Sequence, residues 1–259
     1  MYESIVITRH GKIAEVALNR PRSYNAFDLE MVTALVHGLT SLATDDTVRG
    51  VVITGRGKAF CAGGDLRWAA QSPGKASATF HTLIAQFHLA VLEIRRMEKP
   101  VAAAVHGIAA GGGFSLALAC DFRVLGASAV LMQGYTSRGL CIDGGGTFTL
   151  PRLVGLARAL EIAAFDEPIP AEKALQWGLA TTVVPDEEVA GEALRLLERI
   201  ATSPHSFAWS KKLLTDAFET PFEAQLEAER RAFGRCADHP DGQEGLKAFL
   251  EKRPPRFGG

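Results

Sequence analysis

Lys58-Ala59-Phe60-Cys61-Ala62-Gly63-Gly64-Asp65-Leu66 follows an apolar run, Val48 to Thr54, and precedes helix-forming text. A second stretch, His106-Gly107-Ile108-Ala109-Ala110-Gly111-Gly112-Gly113-Phe114-Ser115-Leu116, has the same setting after Val101 to Val105. Both read as strand, glycine turn, helix. Glycine lets the backbone approach a ligand closely, and the first N–H groups of a helix lack internal partners. Two such turns can aim their amides at one oxygen, whereas a single one reads equally well as a tight turn. Neither carries the Lys-Ser/Thr ending of a phosphate-binding loop or a GxGxxG pattern.

Outward from these turns the chain alternates short strands and helices. Ile5 to Leu18 predicts a hairpin around His10-Gly11. Asp28 is placed to cap a helix carrying Leu29, Val32, Leu35, Val36, Leu39 and Leu42, which ends near Asp45-Asp46. A longer helix is expected from about Ser77 to Met97, stopped by Lys99-Pro100, and short strands are expected at Val124 and Val130. Beyond Gly144-Gly145-Gly146 the pattern predicts helix with few breaks to the end. Amphipathic segments run from Val189 to Ile200, Phe207 to Phe218 and Phe222 to Phe233, punctuated by Pro204, Pro221 and Pro240. That tail reads either as a lid or subunit-contact module or as a cap packed on its own core.

The 259 residues, 47% of them hydrophobic, can fill one large core. Lys plus Arg number 28 against 29 Asp plus Glu, so the net charge of -1 supplies no field for a nucleic acid backbone or an anionic membrane. Cys61, Cys120, Cys141 and Cys236 form no CxxC pair and no zinc-like spacing with histidine, so no metal and no disulfide framework is expected. Reduced thiols, no export signal and no apolar run of membrane-spanning length point to a soluble cytoplasmic protein.

The two glycine turns, together with Asn19-Arg20-Pro21, Asn25-Ala26, Cys120-Asp121 and the closing Phe249-Leu250 to Arg253, resemble the signatures of the crotonase, or enoyl-CoA hydratase/isomerase, superfamily. The likeness runs from Val6 to the carboxyl end. It implies an α/β fold: a spiral of ββα repeats over residues 1–195, followed by a helical trimerisation or lid region over 196–259. It also implies an acyl-CoA thioester as substrate, with coenzyme A part of that substrate and no prosthetic group, and a homotrimer or dimer of trimers. The Gly64 and Gly112 amides would bind the thioester oxygen, and such donors strengthen as charge moves onto it. Arg22, Lys58, Arg67 and Lys252 would meet the phosphates, and backbone at Ala26, Ala62 and Leu66 would hold the adenine and pantetheine arm.

Two glutamates that a hydratase of this family carries are replaced here by Ser115 and Tyr135. Neither is a natural base near neutral pH, which argues against ordinary water addition. Between Val101 and Leu160 the only carboxylates are Asp121 and Asp143. Asp121 falls at a helix-to-strand junction where the family uses its counterpart structurally. Asp143, expected to open a helix, is either an N-cap or the catalytic acid/base. Its position resembles the isomerase branch, including ring-opening phenylacetate-pathway and dienoyl-CoA isomerases, where one carboxylate moves a proton. Tyr135 would donate a hydrogen bond to the acyl group or fill the vacated space. Alternatives are a dehalogenase or hydrolase with Asp143 as nucleophile and His88 nearby, an atypical hydratase, and a non-catalytic RNA-associated protein on the same fold.

Overall fold

The computed structural model describes residues 3–201 and 205–257. Strands β1 (Ile5–His10) and β2 (Ile13–Leu18) form the expected antiparallel hairpin, paired from Ile5 with Leu18 to His10 with Ile13. Helix α1 (Leu29–Thr44) begins where Asp28 Oδ1 accepts the Met31 N–H at 2.9 Å, and it buries Met31, Leu35, Leu39 and Leu42. Then follow β3 (Gly50–Gly55), α2 (Leu66–Gln71), α3 (Ala76–Arg96), β4 (Val101–Val105), β5 (Ile108–Ala110) and α4 (Gly112–Ala119). The second half comprises β6 (Phe122–Gly126), β7 (Val130–Met132), α5 (Gly146–Phe165), β8 (Ile169–Pro170), α6 (Ala171–Gln176) and β9 (Thr182–Val184), and then α7 (Val189–Ala201), α8 (Ser206–Asp216), α9 (Phe222–Asp238) and α10 (Pro240–Leu250).

The strands form a six-stranded sheet in the order β1-β2-β3-β4-β6-β9 and a three-stranded sheet, β5-β7-β8. From β2 to β9 every pairing in the larger sheet is parallel. Two turns of the chain each give a strand to the larger sheet, a shorter one to the smaller sheet, and then a helix: β4-β5-α4, then β6-β7-α5. This is the spiral of ββα repeats.

Alternation along the strands explains why both faces of the large sheet are covered. In β4, Val101, Ala103 and Val105 join the main core with α1, α3 and α4, while Ala102 and Ala104 meet Val189, Ala193 and Leu197 of α7. The boundary drawn at 195/196 from the sequence falls inside α7.

Helix with few breaks after Gly144-Gly145-Gly146 is a reading the structure corrects in part. Strands β8 and β9 interrupt it, and Gly155 (φ 75°, ψ 160°) breaks the helical backbone inside α5. Strands of two or three residues are too short to show a period of two, and β9 is an edge strand held by the pairing of Val124 with Thr182 through Gly126 with Val184. The three-residue β5 lay inside the second glycine turn for the same reason. The carboxyl end holds a further helix, α10, which Pro240 opens at its first turn.

Asn25 ties the first glycine turn to the body of the protein. It is fully buried at φ 56°, and its side-chain amide donates to Arg56 O at 2.9 Å and Ala59 O at 2.8 Å while Oδ1 accepts the Arg20 N–H at 2.9 Å. Asn25→Ala loses these bonds and strains the left-handed backbone, an expected cost of about 3 kcal/mol in urea unfolding. Asn25→Gly, which relieves only the backbone, recovers less than about 1 kcal/mol of that. An unchanged unfolding midpoint in Asn25→Ala would count against this role.

Candidate active site

The two glycine turns press against each other. A Cβ on Gly63 (φ 93°) would stand 2.8 Å from Ala110 O and 3.0 Å from the Gly112 nitrogen, so no larger residue fits. The segment ahead of the first turn lies along β5, with Cys61 N–H donating to Ile108 O at 3.1 Å and Ala110 N–H to Cys61 O at 2.9 Å. Phe27 brackets the turn by donating to Gly63 O at 2.7 Å and accepting from the Asp65 N–H at 2.8 Å. The Gly64 amide between those two bonds donates to no acceptor among the described residues, and neither does the Gly112 amide at the start of α4. Both glycines line one cavity.

That cavity holds about 1000 Å³ of empty space including its open mouth. Its walls are largely apolar, formed by Phe27, Leu66, Phe80, Leu83, Ile84 and Phe87, with the rings of Phe27 and Phe87 tilted at 40° and their centroids 4.9 Å apart. Ala62, Tyr135, Arg138 and Asp143 complete the part that matters for chemistry. Asp143 is the only carboxylate among the described residues lining it.

Asp143 does not open α5, contrary to the sequence expectation. Gly145, in the left-handed region at φ 75°, is the N-cap, and Asp143 sits in the preceding turn, where its carbonyl accepts the Gly146 N–H at 2.9 Å. Its side chain makes no cap. Instead Oδ1 accepts the Tyr135 hydroxyl at 2.5 Å. Burial raises the Asp143 pKa above the ordinary aspartate range, outweighing the Tyr135 hydrogen bond and the nearby His88 ring, which pull it down. Tyr135, 7% exposed, is pushed up in turn by burial and by the neighbouring carboxylate, so it stays a donor. Ser115, fully buried, donates to Asp143 O at 2.8 Å, and His88 Nε2 accepts the Gly144 N–H at 3.3 Å. Both hold the turn that carries the carboxylate.

Asp121 is engaged elsewhere. It accepts from the Val101 N–H at 2.8 Å and pairs with the buried Lys211 at 2.8 Å, locking the start of β4 to α8.

The sequence-derived binding positions divide. Gly64, Gly112, Tyr135, Asp143, Ala62 and Leu66 come together at the cavity; Arg22, Ala26, Lys58, Arg67 and Lys252 do not line it. Arg22 and Lys58 belong to adjoining turns, since a Cβ on Gly57 would touch Pro21 at 2.8 Å, and Arg67 is in the first turn of α2. Arg22, Lys58, Arg67 and Lys252 are exposed and form no ion pair among the described residues. Ala26 is buried, with its N–H given to Ser23 O and its carbonyl accepting from Arg20. Lys252 stands on the turn after α10.

Sequence reasoning missed Asp166. This 6% exposed aspartate caps α5 and accepts the Gly134 N–H at 2.6 Å and the Ser137 N–H at 3.1 Å, so it positions the turn bearing Tyr135 and Arg138. An aspartate at a helix end is common, and nothing local in the sequence points it at a loop some thirty positions earlier. No group of three or more His, Cys, Asp or Glu that could hold a metal occurs among the described residues, and no described helix is long and apolar enough to cross a membrane.

Residues 8–259 match the family model for enoyl-CoA hydratase/isomerase. The chain is similar to a 1,2-epoxyphenylacetyl-CoA isomerase of Escherichia coli, 36% identical with 100% of each chain covered. It is also similar to a probable enoyl-CoA hydratase of Rhodobacter capsulatus, 39% identical over 95% of each. Among solved structures, an enoyl-CoA hydratase from Polaromonas sp. JS666 superposes with a TM-score of 0.93 at 36% identity, covering 98% of this chain and 99% of that one.

Proposed function

The chain belongs to the enoyl-CoA hydratase/isomerase family, and on that premise we propose that it moves a double bond along the acyl chain of a CoA thioester, with Asp143 carrying the proton. As a member of that family it is an acyl-CoA enzyme; the direction toward isomerisation rests on one observation. The cavity beside the two free glycine amides is lined by a single carboxylate, and the two positions that a hydratase fills with glutamate hold Ser115 and Tyr135.

The thioester oxygen accepts from the Gly64 and Gly112 amides. Asp143, with Oδ1 held by Tyr135, keeps Oδ2 for the substrate and removes a proton from the acyl chain. The electron pair delocalises onto the thioester oxygen, where the two amides hold the dienolate, each contributing roughly 3 kcal/mol to lowering the barrier. The Asp143 carboxylic acid then returns the proton at a different carbon, and atoms balance with no water consumed. Coenzyme A serves as the handle, its phosphates met by Arg22, Lys58 and Arg67 around the Gly63-Gly64 turn, with Lys252 contributing from the same chain or a neighbouring one. Leu214, Phe218, Phe222, Phe233 and Phe249 are exposed on or beside the carboxyl-terminal helices, which suits a trimer that would cover them.

The test is a 3-enoyl-CoA ester incubated in deuterated water. The expected products are the 2-enoyl isomer and deuterium in the acyl chain. Formation of the 3-hydroxyacyl ester faster than isomerisation would replace this reading with hydration.

A further inference from the structure

The cavity contains one cation among its described lining residues, Arg138, and the reading of the cavity as an acyl-CoA site leaves it without a task. We propose that Arg138 binds an anionic group at the far end of the acyl chain, so that the substrates are CoA esters of dicarboxylic acids.

Arg138 is the last residue of the short helical turn Thr136–Arg138, placed just after Tyr135 and anchored by the two bonds Asp166 accepts. Its Nη1 donates to Gly134 O at 3.0 Å and to Ser137 Oγ at 3.1 Å. Those bonds hold one corner of the guanidinium to its own turn. The N–H groups of Nε and Nη2 have no acceptor among the described residues, and that edge has the parallel geometry that grips a carboxylate in two-point fashion. No carboxylate of the described chain pairs with Arg138, although Asp166 supports the same turn.

Position separates this cation from the phosphate-binding ones. Arg22, Lys58 and Arg67 lie outside the cavity on the turns flanking Gly63-Gly64, whereas Arg138 shares the cavity wall with Leu140, Ile84, Phe80 and Leu66. A chain whose carbonyl sits on the Gly64 and Gly112 amides passes Asp143 and Tyr135 and runs along these apolar walls. A methyl terminus asks nothing of a guanidinium; a carboxylate terminus does.

Binding, not turnover, is the measurement, so that a failed isomerase assay leaves it intact. Adipyl-CoA, hexanoyl-CoA and free coenzyme A are titrated calorimetrically into the wild-type protein, Arg138→Gln and Arg138→Lys. The wild type is expected to bind adipyl-CoA about tenfold or more tighter than hexanoyl-CoA, the effect of one hydrogen-bonded charge pair. In Arg138→Gln that ratio falls to about one, and in Arg138→Lys, which keeps the charge without the fork, it lies between. A wild-type ratio near one overturns the proposal and leaves Arg138 a solvated surface cation. An equal loss for both esters and for free coenzyme A in Arg138→Gln overturns it too, and makes Arg138 a phosphate ligand. Failure of both esters to bind the wild type overturns the acyl-CoA reading itself.

Discussion

Asp143→Asn is expected to lower turnover of an enoyl-CoA ester by about 10³-fold, within the range that a positioned general base supplies, while the affinity for CoA esters changes little. Asparagine keeps the shape and still accepts from Tyr135 but cannot take a proton. Unchanged turnover would remove Asp143 from the chemistry. The wild-type pH profile carries a signature of the same residue. Because burial raises its pKa, the acidic limb of kcat/KM, where the reactive carboxylate is lost, lies above the range of an ordinary aspartate. Tyr135→Phe removes a hydrogen bond that favours the carboxylate, so the limb moves to higher pH. The same shift has the opposite sign for stability. A group whose folded-state pKa is raised binds its proton more tightly in the folded protein, so the ionised form detracts from stability at neutral pH and that penalty fades as pH falls through the raised value. Asp143→Asn is therefore expected to melt no lower than wild type at pH 7, which separates a catalytic loss from a folding defect.

The second large effect concerns a backbone group that no side-chain deletion reaches. Gly64→Pro removes the amide hydrogen, and it is expected to lower kcat/KM by about 10²- to 10³-fold relative to Gly64→Ala, the loss seen when one oxyanion donor is deleted. The alanine variant is the control because a Cβ at position 64 meets nothing within 4 Å. The amide serves no described acceptor in the fold, so removing its hydrogen breaks no hydrogen bond among the described residues. Gly64 also lies outside the left-handed region that glycines such as Gly63 occupy. Equal rates in the two variants, with both folded by circular dichroism, would mean that the Gly64 amide does not touch developing charge.

Much of this architecture was legible in the residues because it depends on local rules. Asp28 as a cap, the apolar run of β4 and the proline stop after Lys99 each act within a few positions of themselves. The glycine turns were legible as well, since only glycine tolerates φ 93° with a carbonyl 2.8 Å from where a Cβ would be. Strands β8 and β9 were not, because a run of two or three residues is held by its partner across the sheet and carries no pattern of its own.

The two glycine turns, the missing pair of glutamates and the isolation of Asp143 among apolar residues were decided by the order of amino acids alone, since each is a matter of which residue type stands where. What Asp143 does with its side chain was not. A sequence leaves an aspartate before a helix free to cap it, and only the folded chain shows Gly145 taking the N-cap position while Tyr135, Ser115 and His88 converge on the Asp143-Gly144 turn. The pKa shift, the roles of Asp166 and Arg138 and the division between cavity-lining and peripheral cations belong to the tertiary structure for the same reason. Burial and hydrogen bonding between segments far apart in the chain are properties of where those segments meet, and no short-range pattern encodes that meeting.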